Sequence, residues 1–248
     1  MGVFDLFSKD GRQSRARERN IKSAVGKYKQ SPDRLKALQA LRDDGSSEAL
    51  YGLLRRFGMM YDKTIEDEQE KDWVFEVLVE KGPTVLPALK KYLLTAESIS
   101  WPLRLLDKIA DKEQELEVIQ EVLARHEPGY ERDPTKKIQL LNHLGGFKDA
   151  RVPPLLVPYL GDMDEGVRYA AAEALIRQAN EEVAREPLLQ QLVSDSEESL
   201  RIRIQIADGF ADLGWRVHGY REAAEKRLPG EFSLDRDGHV KKKPQAKE

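Results

Sequence analysis

The chain has 248 residues, 40% of them hydrophobic and 34% charged, with 41 Lys and Arg against 44 Asp and Glu for a formal net charge of -3. That balance, with a pI near 6.0, argues against a nucleic-acid binder driven by phosphate neutralisation, and the lack of cysteine excludes disulfides, thiolate metal sites and cysteine nucleophiles. No apolar run approaches the roughly 20 residues that span a bilayer, and no basic region followed by an apolar stretch opens the chain, so the sequence reads as cytoplasmic.

Met1 to Phe7 holds Val3, Phe4, Leu6 and Phe7, and a basic stretch with Arg12, Arg15, Arg17, Arg19 and Lys22 follows. Residues 1–20 are therefore expected to form an apolar and basic arm, docked on the first helices or in weak contact with an anionic membrane surface. Gly2 is not a myristoylation site, because position 6 is Leu6. Helical patterning starts around Ile21 and resumes after Ser31-Pro32-Asp33, with Ser31 as the expected N-cap and Gly45 as the C-terminal stop. Helices then alternate in pairs over 47–60 and 66–81, 84–95 and 99–110, 112–126 and 134–145, 150–161 and 165–179, and 182–194 and 198–213. The acidic run Glu66 to Asp72 reads as a solvated helix start. A last helix over 217–228 and a small β-hairpin around Asp235-Arg236-Asp237-Gly238 complete a capping segment, 216–240, followed by a disordered basic tail, 241–248.

One segment recurs. Pro87-Ala88-Leu89-Lys90-Lys91-Tyr92-Leu93 returns as Pro154-Leu155-Leu156-Val157-Pro158-Tyr159-Leu160 and as Pro187-Leu188-Leu189-Gln190-Gln191-Leu192-Val193, with prolines 67 and then 33 positions apart. A period in the 30s with helical patterning marks a stacked helical-repeat protein over 21–215. The turn and helix Asp162-Met163-Asp164-Glu165-Gly166-Val167-Arg168 through Leu175 has a second copy from Asp195 to Arg201 at the same offset of 33.

These two copies resemble HEAT repeats; the resemblance is strong over 150–207, moderate over 83–95 and rests on spacing elsewhere. The resemblance implies an all-α, right-handed solenoid of about five to six HEAT-like helical hairpins, with a short C-terminal β-hairpin. It also implies a ladder of turn acids and helix arginines, with Asp162 or Asp164 around Arg168 and Asp195 or Glu197 around Arg201. Small residues at 170, 171 and 174 let two helices approach closely, and the proline of each first helix is expected to bend it. Asp208 falls where the motif wants an apolar residue like Leu175.

Nothing singles out a catalytic group or a cofactor. His126, His143, His218 and His239 are far apart, no glycine-rich phosphate loop or nucleophile elbow occurs, and Asp162 to Gly166 lacks the ligand pattern of a calcium loop. The chain therefore reads as a non-catalytic scaffold or adaptor binding another protein along a concave face. Tyr169, Glu173 and Ile176 are the first contact candidates, then Gln205 and Arg203. On the 33-residue register Ile202, Ile206 and Gly209 face outward, making that helix either capped internally or an open apolar groove. Two other classes fit the resemblance. One is an accessory lyase or chaperone for a cofactor-bearing protein; the other is a HEAT-like DNA glycosylase, for which Trp73, Trp101 and Trp215 would be the aromatic candidates.

Overall fold

The computed structural model describes residues 9–244; Met1 to Phe7 lie outside them. The described chain is helical, with one two-stranded antiparallel sheet near its C-terminal end. It divides into two compact units, up to Ala124 and from Arg125. Among the described residues no helix is long and apolar enough to cross a membrane.

The first unit begins with α1 (Lys9–Ala24), packed on α2 (Ser31–Asp44) and α3 (Ser47–Leu54). The helix start expected near Ile21 thus lies twelve residues earlier, and the described part of the predicted arm is helix. Its inner side is thin: Ile21 lies over Gly52, where an added Cβ would meet it at 2.6 Å, and Arg17 pairs with Asp44 at 3.0 Å. In α2 the N-cap is Gln30 rather than Ser31, whose hydroxyl instead donates to Glu70 at 2.9 Å. The remaining elements are α4 (Thr64–Lys81), α5 (Leu86–Thr95), α6 (Ser100–Ile109) and α7 (Lys112–Leu123). Contacts of α3 with α5 and of α5 with α7 build one layer; α2, α4 and α6 build the other. Leu38, Leu53, Leu78, Leu89 and Leu105 are fully buried between the layers, each worth about 1.5–3 kcal/mol of apolar transfer.

The second unit repeats this plan. Its pairs are α8 (Thr135–Gly146) with α9 (Val152–Leu156) and α10 (Glu165–Gln178) with α11 (Glu181–Val193), and α12 (Leu200–Leu213) and α13 (Arg221–Arg227) follow. The first layer is α9, α11 and α13, and the second layer is α8, α10 and α12. The recurrent proline acts unequally. Pro154 lies in the first turn of the five-residue α9, where its missing N–H costs nothing, whereas Pro187 lies inside an unbroken α11. Gly145 brings α8 so close to α10 that an added Cβ would stand 3.0 Å from Ala174 Cα, so the small residues serve close packing as expected.

The second-layer helices correct the sequence register. Both α10 and α12 have 14 residues, open on a side-chain N-cap (Asp164 to Val167 N; Ser199 to Ile202 N) and close on a left-handed residue, Ala179 or Gly214. Those landmarks lie 35 positions apart, not 33, because the turn from Ser194 to Ser199 carries two extra residues. Val167 therefore matches Ile202, Ala171 matches Ile206, and Leu175 matches Phe210, all buried. Asp208 stops being an anomaly and lies on the polar side, 2.7 Å from Lys242.

The same shift removes the proposed groove, since Ile202, Ile206, Gly209 and Phe210 are core residues. β1 (Phe232–Leu234) pairs with β2 (Val240–Lys242), and β2 lies on α12 with Val217, Phe232 and Val240 buried. Trp215 packs edge-on against Phe210 at 5.5 Å. Helix α13 rests on α11 instead, so the seal over α12 is the hairpin rather than the last helix. Lys241 and Lys242 belong to β2, which places the start of the predicted disordered tail inside a strand; residues 245–248 lie outside the described set.

Gly209 marks the tightest contact between neighbouring second-layer helices. A Cβ there would meet Ile176 atoms at 2.6, 2.7 and 2.9 Å. Gly209→Val is expected to cost about 1–3 kcal/mol by overpacking, read as a lower urea midpoint. The added change Ile176→Ala should recover part of that loss. Equal stability of the Gly209→Val protein and the parent would refute the contact.

Candidate functional site

Asp162 and Glu197 occupy the same place in successive turns, and each is met by a cation from the preceding second-layer helix. Asp162 Oδ2 accepts from Lys137 Nζ at 2.8 Å and from Gly129 N at 3.0 Å, while its Oδ1 accepts from Asp164 N at 2.9 Å. Glu197 takes a fork from Arg168, Nε at 2.9 Å and Nη2 at 3.1 Å, and accepts from Ser199 N at 2.9 Å. Both acids are buried, at 2% and 1% exposure. Arg168 Nη1 also donates to the backbone carbonyl of Asp162 at 3.0 Å. Each cation thus ties its own turn to the next repeat, through charge-assisted hydrogen bonds.

A related rung exists in the first unit. Arg34, the fourth residue of α2 as Arg168 is of α10, donates through Nε and Nη2 to Glu70 at 3.1 and 2.7 Å. Arg56 adds bonds to Glu70 at 3.0 Å and to Asp67 at 2.6 Å, and Lys71 reaches Asp67 at 2.6 Å. Arg34, Arg56, Asp67, Glu70 and Lys71 are all buried, so the acidic run read as solvated places two of its carboxylates inside. The guanidinium carbons of Arg34 and Arg56 lie 4.1 and 4.4 Å from the ring centre of Tyr61.

The recurrent architecture has a match among known families: the profile of HEAT repeats covers residues 116–207. Residues 116–207 are HEAT repeats. No curated protein matches the sequence.

The HEAT ladder forms, but with other partners than the 33-residue register implied. Arg168 pairs with Glu197 of the next repeat, not with the carboxylates of Asp162 or Asp164; Asp164 is the N-cap of α10. Arg201 has no place in the ladder. Its guanidinium stacks on the Tyr169 ring at 3.7 Å. Asp195 is exposed and meets Arg227. The arginine equivalent to Arg168 is Arg203, which was assigned to the partner face; it donates to the carbonyls of Ser194 and Glu197 instead. Among the described residues no acid meets Arg203 as Glu197 meets Arg168, and Arg203 Nε is buried there without a hydrogen-bond partner.

Of the predicted contact residues, Tyr169, Glu173, Ile176 and Gln205 are half-buried on the polar side of α10 and α12. Tyr169 donates to Gln205 Oε1 at 2.8 Å, and Arg201 covers the ring. Ile176 is committed on one side to Gly209. The three tryptophans do not converge: Trp215 is buried on Phe210, Trp101 stacks on Phe57 at 5.5 Å, and Trp73 lies near Arg42. Asp235, Asp237 and His239 can bring three ligand atoms within 4.8 Å. Asp235 is already engaged there, accepting from Asp237 N at 3.0 Å and His239 N at 2.8 Å, and Arg216 Nε faces the imidazole. That pattern is a turn held by its first residue.

Burial alone pushes the carboxyls of Asp67, Glu70, Asp162 and Glu197 up, but the cations and hydrogen bonds around them outweigh it and hold all four below their ordinary values. Depressed carboxylates stabilise the fold fully above the unfolded-state values, 3.8 for Asp and 4.5 for Glu. That stabilisation declines as pH falls below those values and is gone below the lowered folded ones. The urea midpoint is therefore expected to be flat with respect to these groups near neutrality and to fall steeply below about pH 4.5. A midpoint unchanged between pH 6 and pH 3 would contradict the pairing.

Proposed function

We propose that the chain is a non-catalytic protein-recognition module. The face that meets the partner is the polar side of the second-layer helices α10 and α12. The observation that carries this reading is the assembly of Tyr169, Arg201 and Gln205 across two neighbouring helices, with Glu173 beside it. The three side chains support one another, so their outer edges are presented with little conformational freedom to lose on binding. Glu173 adds a carboxylate that none of the described residues engages. Arg201 replaces Arg203 as the basic member of the set, and Ile176, two turns along α10, is engaged with Gly209.

The test is affinity purification with the full chain and with the variant Glu173→Arg, Gln205→Ala, from the protein's own host. Partners recovered with the parent are expected to be lost with the variant while helicity and urea midpoint stay unchanged. Recovery of the same partners by both would remove this face from the reading.

A further inference from the structure

The first unit carries a second surface, chemically unlike the polar side of α10 and α12. Between Lys9 and Lys29 the sequence has eight basic residues and two acids, in a chain whose net charge is -3. Arg12, Arg15, Arg19 and Lys22 are exposed and fall within about a quarter of the helix wheel of α1, on the side away from Ile21 and Ala24. The loop that follows adds exposed Lys27 and Lys29.

Large apolar side chains stand at the end of this stripe. Tyr28, Met60 and Ile65 are 93%, 82% and 76% exposed. The segments that carry them are joined: Lys27 to Gln30 and Tyr61 to Lys63, with Arg34 and Glu66, line one cleft of about 300 Å³; Met60 adjoins this lining in sequence, and Ile65 lies in the first turn of α4 beside Glu66. Tyr61 donates to the Ala24 carbonyl at 3.3 Å. Acids there are few. Glu66 is paired with Lys63 at 2.9 Å, and Asp62 is left beside Lys27 and Lys29 at the rim.

We infer that this surface docks on an anionic lipid bilayer, with the α1 stripe against the headgroups and Tyr28, Met60 and Ile65 entering the interface. Cations alone would suit any polyanion. The aliphatic Met60 and Ile65 decide between them, because they gain nothing against phosphate or carboxylate groups but do gain in the headgroup-to-acyl boundary. Each basic residue near an anionic leaflet contributes about 1 kcal/mol, close to a fivefold change in affinity.

The test is co-sedimentation of the full chain with phosphatidylcholine vesicles, with and without phosphatidylserine, at low and physiological salt. Binding is expected only where phosphatidylserine is present, and weaker in salt. The variant Arg19→Glu, Lys22→Glu should lose at least about tenfold in affinity. The variant Tyr28→Ser, Met60→Ser should lose about fivefold or more; both positions are more than four-fifths exposed, so the fold has no stake in them. Equal binding to neutral vesicles, no binding at all, or binding indifferent to the charge reversal would overturn the inference. So would duplex DNA or polyglutamate bound as tightly as the vesicles, without dependence on Tyr28 and Met60.

Discussion

Arg56→Met is expected to destabilise the protein by about 3–5 kcal/mol, the cost of breaking a buried ion pair from one side. Arg56 is 0% exposed, and its guanidinium serves Glu70, Asp67 and the carbonyl of Met59 together. Methionine matches the stem in bulk but donates nothing. Two carboxylates would remain at 4% and 6% exposure, held by Arg34 and Lys71 as the remaining cations, with the Ser31 hydroxyl on Glu70. Arg56→Lys should recover only part of the loss, because a single ammonium cannot reproduce bonds to two acids from one planar group. Urea unfolding followed by circular dichroism measures this directly. A loss under about 1 kcal/mol, the worth of an exposed pair, would mean that water reaches the network.

Asp162→Ala is expected to produce a loss of similar size in the second unit. Lys137 Nζ would keep the Gly129 carbonyl at 3.1 Å and Glu131 at 3.6 Å, but its close carboxylate partner would be gone from a site where its own side chain is 1% exposed. Two backbone N–H groups, of Gly129 and Asp164, would lose their acceptor as well. Each unsatisfied buried donor costs about 1–3 kcal/mol, so the total is expected at about 3–5 kcal/mol. The double change Lys137→Met, Asp162→Ala should be less damaging than the sum of the two singles, since an apolar pair leaves no uncompensated charge. Strict additivity would show that the two groups do not depend on each other.

The helical pairs and the turn acids were legible because both rest on local patterns: 3.6-residue periodicity, short polar turns and N-cap chemistry. The ladder's pairings were not, because an insertion of two residues in the Ser194–Ser199 turn leaves the proline spacing at 33 while moving the following helix to 35. The misfit of Asp208 was the available signal of that slip. Helix α1 escaped because its exposed side is basic and its buried side offers little more than Ile21 and Ala24. The inward turn of Asp67 and Glu70 depends on Arg34 and Arg56, up to 36 positions away, and sequence distance hides it. In hindsight Asp67, Glu70, Lys71 and Val74 share one helical face, which is a hint that the acids follow the core.

Stacked repeats pose a problem that closed folds escape, since whatever accepts one more repeat also accepts a neighbouring molecule. The two short strands laid across α12 answer it with the wrong kind of secondary structure. A hairpin offers no ridges for an incoming helix to interlock with, and Lys242 fastens it to Asp208 and Asp212 at 2.7 and 2.9 Å. The hairpin thus covers α12 with a surface that a helix cannot interlock with, and Arg203 Nε, without a hydrogen-bond partner among the described residues, shows what the cation of a rung looks like when no acid meets it.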